Sequence, residues 1–183
     1  LRIEPERFTP EYPDPAKGKV TIVHAPSNRG VKGTKYIHSA VENLKKKYNI
    51  EYILVENMTQ NEAFKEYQKA DIIVDQILGG SYGVFSIEAM AMGKPVITYI
   101  TDEMIKTFPD ELPIVSASPL NIQEEIEKLI NDGQIRHDLG VKGRKYIETY
   151  HDCKKNAKVI AKIYEGTANK TKGKDAFEEV KAL

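Results

Sequence analysis

Asp71-Ile72-Ile73-Val74-Asp75 opens the stretch that decides the fold of this chain. A loop rich in glycine follows, Gly79-Gly80-Ser81-Tyr82-Gly83, and then Val84-Phe85-Ser86-Ile87-Glu88-Ala89-Met90-Ala91-Met92. Gly93-Lys94-Pro95 closes that segment before a second apolar run, Val96-Ile97-Thr98-Tyr99-Ile100. The two short apolar runs have the composition of strands buried on both faces. The segment between them ends on glycine and then proline, the expected stop signals of a helix. Strand, helix and strand within about thirty residues make a parallel crossover unit.

The same alternation extends in both directions. Lys19–His24 predicts a strand stopped by Pro26, and from Thr34 the residues Tyr36, Ile37, Ala40, Val41, Leu44 and Tyr48 repeat at helical spacing. Glu51–Glu56 predicts a strand and Asn61–Ala70 a helix, while Pro113–Ser116 predicts one more short strand. Pro119–Asn131, Gln134–Tyr150 and Asp152–Glu165 predict a helical C-terminal part. The pattern implies an α/β fold, a doubly wound Rossmann-like parallel sheet with helices on both faces, over residues 19–165. Residues 1–18 carry four of the nine prolines, Pro5, Pro10, Pro13 and Pro15, and read as an extended arm or linker. Residues 166–183 read as a tail with a frayed, weakly helical end at Asp175–Ala182.

Composition narrows the function. The chain has 183 residues, 40% hydrophobic and 30% charged, which suits one domain with a real core. Twenty-seven basic residues balance 27 acidic ones, against a protein that holds nucleic acid by bulk charge. The single cysteine, Cys153, excludes an internal disulfide and a cysteine-cluster metal site. No apolar run approaches the ~20 residues of a transmembrane segment. Leu1-Arg2-Ile3-Glu4 carries neither an initiator Met nor a signal peptide, so a fragment of a longer, cytoplasmic protein is expected.

In an open parallel sheet, ligands bind where strand-to-helix loops converge beyond the strand ends. Two such loops stand out. Pro26-Ser27-Asn28-Arg29-Gly30-Val31-Lys32-Gly33-Thr34 offers two cations and two glycines before a helix, and suits either a phosphate or a solvated turn. Gly79-Gly80-Ser81-Tyr82-Gly83 leaves the first amides of the next helix open to an anion. Glu88 stands about one turn inside that helix, where a carboxylate repels phosphate and pairs instead with neutral hydroxyls such as those of a ribose. Gly-x-Gly-x-x-Gly, Walker A and Gly-x-Ser-x-Gly motifs are all absent. His24, His38, His137 and His151 are scattered and read as core-edge or surface residues, with His24 at a strand end the exception to watch. There is no Asp-x-Asp, which disfavours metal-held nucleotide sugars, so any phosphates would be neutralised by Lys32, Arg29 and helix N-termini.

The stretch Gly83-Val84-Phe85-Ser86-Ile87-Glu88-Ala89-Met90-Ala91-Met92-Gly93-Lys94-Pro95-Val96-Ile97 resembles the hallmark of the C-terminal, donor-binding domain of retaining GT-B glycosyltransferases, the group one family. That resemblance covers nearly all of residues 19–165 and implies one half of a GT-B fold. It implies a hexosyltransferase type of enzyme, inactive as a fragment, that takes a UDP- or GDP-linked sugar without a metal or other cofactor. A preceding N-terminal domain of the same protein would bind the acceptor and could place the enzyme peripherally at a membrane. Polysaccharide or lipid-linked glycan synthesis is the common setting of such enzymes.

Residue by residue, the resemblance implies that Glu88 holds the ribose and that Lys32, followed by Gly33, meets the diphosphate. It implies that amides around Gly83 and Val84, with Ser81 and Tyr82 beside them, receive phosphate oxygens. Asn57-Met58-Thr59 would seat the base, with Met58 at its centre. Two positions depart from the pattern. Gly80 stands where the family has a glutamate that touches the donor sugar, a role open to Asp75, Ser81 or water. Pro26 stands where the family has its phosphate arginine, about six residues before Lys32, so Arg29 is assigned from charge and location alone. A nucleotide-binding module without catalysis, or half of a sugar-nucleotide epimerase, are the alternatives.

Overall fold

The computed structural model describes residues 2–168. Five parallel strands form one sheet: β1 (Val20–His24), β2 (Ile50–Leu54), β3 (Ile72–Val74), β4 (Val96–Thr98) and β5 (Ile114–Ser116). Their order is β2-β1-β3-β4-β5, with Ile22 beside both Tyr52 and Ile72. Among the described residues, eight α-helices connect and cover the strands. These are α1 (Arg29–Lys32), α2 (Thr34–Lys45), α3 (Gln60–Gln68), α4 (Val84–Ala91), α5 (Asp102–Ile105), α6 (Ile122–Asn131), α7 (Gly133–Tyr146) and α8 (Cys153–Ala168).

Two apolar layers flank the sheet, as expected for a doubly wound fold. On one face, Ile37, Val41 and Leu44 of α2 and Ile126 and Leu129 of α6 pack on Ile22, Ile72 and Ile97. On the other, Tyr67 of α3, Ile87 and Met90 of α4, and Tyr146 at the end of α7 pack on Val23, Ile73 and Val96. All five residues of the interior strand β1 are buried, the polar Thr21 and His24 included, so it shows no alternation of buried and exposed positions. Three features go beyond the pattern reading: the four-residue helices α1 and α5, and a π-helical turn, Ile147–His151, between α7 and α8.

The proline-rich arm is strapped to the domain. It contains a 3-10 turn, Pro5–Arg7, and both Pro5 and Pro13 are buried. Arg144 of α7 donates from Nη1 to the carbonyls of Pro5 (3.0 Å), Phe8 (2.8 Å) and Ala91 (2.7 Å). Further along, the Glu11 amide donates to the Met92 carbonyl, and His137 Nδ1 lies 3.0 Å from the Pro13 carbonyl oxygen. The approach is close enough that a Cβ at Gly133 would run into the backbone of Pro15. At the start of the arm, Ile3 forms a parallel bridge with Asp152, taking bonds on both sides of it. The helical tail expected at Asp175–Ala182 lies outside the described residues.

Candidate functional site at the β1/β3 switch point

The chain runs from β1 outward to β2 and then returns to β3 on the other side of β1, so the order reverses between β1 and β3. Loops leaving the carboxyl ends of two such strands diverge to opposite faces and leave a crevice between them. Here the two loops are the ones singled out by sequence. The β1 loop carries α1 and Gly33, while the β3 loop carries Gly79–Gly83 and leads into α4.

Asp75, the residue after β3, joins them. Its carboxylate is fully buried, accepts from Lys32 Nζ at 2.5 Å through Oδ1, and accepts from Ser86 Oγ in α4 at 2.7 Å through Oδ2. Both oxygens are therefore occupied, one by each wall of the crevice. Lys32 keeps 14% of its side chain exposed, so its ammonium stands at the edge of the opening. Beneath, His24 is fully buried, with Nδ1 2.8 Å from the Val74 carbonyl and Nε2 2.9 Å from Thr34 Oγ1. Burial pushes its imidazole below the usual range, so His24 acts as a neutral strut.

Gly33 fixes how close the walls come. It takes a left-handed φ of 77°, and a Cβ there would sit 2.6 Å from Ile77 Cγ1 in the opposite loop. The two helix starts differ. At α1 the Asn28 side chain accepts from the amides of Gly30 (2.9 Å) and Val31 (3.0 Å), so that end is already capped. At α4 the N-cap is Gly83, with no side-chain cap, which leaves the first amides of α4 facing the crevice mouth. Val84, the first residue of α4, is 49% exposed.

Glu88 sits one turn further along α4, half-buried. Burial pushes its carboxyl above the usual range, and no cation among the described residues offsets that rise. Glu88 and Asp75 both act on the Tyr67 phenol, which is pushed up to about 12, chiefly by burial. A half-buried carboxylate beside an uncapped helix start suits a ligand with neutral hydroxyls next to an anion.

The remaining candidates are placed as follows. Arg29 is mostly exposed and forks onto Glu56, with Nε to Oε1 at 2.8 Å and Nη2 to Oε2 at 2.5 Å. Met58 follows Asn57, whose left-handed φ of 56° turns the chain after β2, and Met58 is 44% exposed. The Ser81 carbonyl accepts from Gln76 Nε2. The Tyr82 hydroxyl lies 3.3 Å from the Tyr146 hydroxyl and 3.1 Å from His151 Nε2. Gly80 takes a left-handed φ of 76°, and its carbonyl accepts from the Thr101 amide. A glutamate at Gly80 would be strained at that angle, so the departure from the family pattern is built into the loop backbone. Sequence reading offered Asp75 only as a sugar contact and did not anticipate Ser86 or Glu56. Their partnerships depend on topology, because Asp75 meets a lysine 43 positions away.

With this geometry in place, comparison with known proteins identifies the chain's relatives. The sequence pattern of the family described as "Glycosyl transferases group 1" matches residues 29–146, more than half of the chain. The chain belongs to the group 1 glycosyl transferases. The C-terminal domain of a group 1 family protein, LpcC, from Francisella tularensis superposes with a TM-score of 0.63 at 19% identity, covering 82% of this chain and 99% of that one. Sucrose-phosphate synthase from Thermosynechococcus elongatus superposes with a TM-score of 0.67 at 17% identity. That match covers 93% of this chain and 52% of the synthase, so this group 1 chain spans about half of the larger enzyme. WaaG, a glycosyltransferase involved in lipopolysaccharide biosynthesis, gives 0.54 at 15% identity, with 74% and 44% covered. At these identities the likeness is one of fold. No curated protein matches the chain by sequence. Among the described residues, no helix is long and apolar enough to cross a membrane, and no three His, Cys, Asp or Glu side chains gather as a metal-binding set.

Proposed function

We propose that this group 1 glycosyl transferase chain is the donor-binding half of a retaining, metal-independent enzyme that takes its sugar from a nucleoside diphosphate. The observation that carries the reading is the switch-point crevice itself. Lys32 and the uncapped start of α4 are joined through Asp75, with the half-buried Glu88 one turn behind. The diphosphate would lie against Lys32 and the amides of Gly83 and Val84. Glu88 would accept from the ribose hydroxyls, and the base would extend toward Asn57-Met58-Thr59. Each charge-assisted bond contributes roughly 1.5–3 kcal/mol. As the sugar leaves, charge builds on the departing diphosphate, and the same lysine and amides hold it where it develops. The acceptor would be carried by a separate N-terminal domain, in a cytoplasmic enzyme of glycan synthesis.

Both cations are ion-paired, Lys32 to Asp75 and Arg29 to Glu56, and each would exchange its carboxylate for phosphate. Lys32 is the primary contact here because Asp75 ties it to the start of α4. Asp75 is fully buried between Lys32 and Ser86, so it would reach the donor sugar in place of the missing glutamate only by giving up that position. Titration calorimetry of the chain with UDP and with GDP tests the proposal. Binding of one in preference to the other supports it and names the base, whereas no heat with either overturns it. A second reading, a nucleotide-binding module without transfer activity, draws on Gly80, whose left-handed backbone leaves no side chain to meet the sugar. Assay of the full-length protein with the sugar-linked nucleotide separates the two, since the module binds without turnover.

A further inference from the structure

We propose that Tyr82 is a positioning residue: its hydroxyl, locked to His151 and Tyr146, holds the glycine-rich loop in the shape that presents the α4 amides to the crevice. This rests on the reading of the crevice as a nucleoside diphosphate site. The loop is the least self-supporting part of that site, with three glycines among five residues from Gly79 to Gly83. Glycines leave the backbone many conformations, so something outside the loop must select one.

The Thr101 amide holds the Gly80 carbonyl and Gln76 Nε2 holds the Ser81 carbonyl, and the loop's own side-chain contacts converge on Tyr82. Its hydroxyl meets His151 Nε2 at 3.1 Å and the Tyr146 hydroxyl at 3.3 Å, while its ring packs on Phe108 with centroids 4.8 Å apart. Tyr146 and His151 are themselves buried, at 3% and 8% exposure, so the receiving side is rigid.

The π-helical turn explains how that receiver is assembled. Residues five apart in an α-helix point about 140° away from each other around the axis. The wider turn over Ile147–His151 instead brings Tyr146 and His151 onto one side, with ring centroids 5.7 Å apart. The two side chains thus form one cradle for a hydroxyl arriving from the loop between β3 and α4. The cradle is anchored in turn, because the His151 carbonyl accepts from the Ile3 amide at 2.9 Å and the Ile3 carbonyl accepts from the Cys153 amide at 2.8 Å. Tyr82 therefore ties the crevice wall to the place where the arm meets the base of α8.

Hydrogen exchange of the chain without nucleotide tests the lock itself. In Tyr82→Phe the amides of residues 80–84 should exchange about tenfold faster while the thermal midpoint barely moves. Unchanged exchange overturns the proposal. UDP titration, or GDP if that is the nucleotide bound, then tests the consequence. Tyr82→Phe and His151→Ala should each weaken binding roughly three- to tenfold, the double variant no further than the larger single, and His151→Gln should recover most of the loss. Additive losses, or a loss confined to position 82, would make Tyr82 a direct ligand contact and overturn the proposal. If the unaltered chain binds neither nucleotide, the functional reading fails, and loop exchange alone decides whether the lock exists.

Discussion

Two aspartates bracket β3, and they do different work. Asp71, just below the strand, accepts from the Thr21 amide at 2.8 Å and from Lys17 Nζ at 2.6 Å. Asp75, just above it, accepts from the side chains of Lys32 and Ser86. The lower carboxylate is tied to the main chain of β1 and to the strapped arm, so it holds β1, β3 and the arm together. The upper one is tied to side chains on the two walls of a crevice, which under the proposed function would exchange partners when an anion arrives. Residue type and strand are the same at both ends, so what differs is whether the partners are free to move. That difference separates framework from site.

The largest expected effect is at the lower end. Asp71→Ala leaves the Thr21 amide buried without an acceptor and should lower stability by about 2–4 kcal/mol in denaturant titration. Nucleotide affinity of the folded protein should not change. Lys32→Ala acts in the opposite way, weakening UDP or GDP binding roughly 10- to 100-fold by calorimetry, and in the full-length enzyme it should lower transfer by at least as much. If Asp71→Ala weakened binding as strongly as Lys32→Ala, the division between the two ends would be wrong.

Lys94 sharpens the comparison at the lower end. Its amine is buried at 3% exposure, and burial pushes it down to about 8. Between about pH 8 and 10.5 the unfolded chain holds this proton more often than the folded one. Its contribution to stability therefore rises with pH across that window and is at its least favourable below pH 8. Lys94→Met should add roughly 1–2 kcal/mol near pH 7 and flatten the rise in stability between pH 8 and 10. A variant with the parent's pH profile would place the amine elsewhere. The smallest effect is at the upper end. Asp75→Asn keeps the shape of the clamp and frees the lysine's charge, so diphosphate affinity should rise three- to tenfold, under about 1.4 kcal/mol. A fall in affinity would make Asp75 an orienter of Lys32 rather than its counter-charge.

The order of strands and helices was legible in the sequence because parallel strands covered on both faces are largely apolar, as Ile72–Val74 is throughout and Val96–Thr98 is but for Thr98. The helices α1 and α5 were not, because four residues are too few to show a helical period. Lys32 and Glu88 were legible as candidates by spacing from their glycines. The partners of Lys32 and Arg29 were not, since Asp75 and Glu56 lie 43 and 27 positions away and only the strand order brings them near. Tyr82 shows the same limit. Its place beside the loop glycines reads as ligand contact, but the π-helical turn that captures its hydroxyl leaves no mark in composition or period.

The central claim is that an anion settles on the uncapped start of α4 against Lys32. A titration of nitrogen-15-labelled chain with UDP and with GDP, followed residue by residue through the backbone amide signals, tests it most directly. The account predicts that one nucleotide shifts the amides of Gly83, Val84 and Gly33 first and furthest, while those flanking Asp71 stay still. Shifts confined to other surfaces, or saturation without movement at Gly83 and Val84, would contradict it.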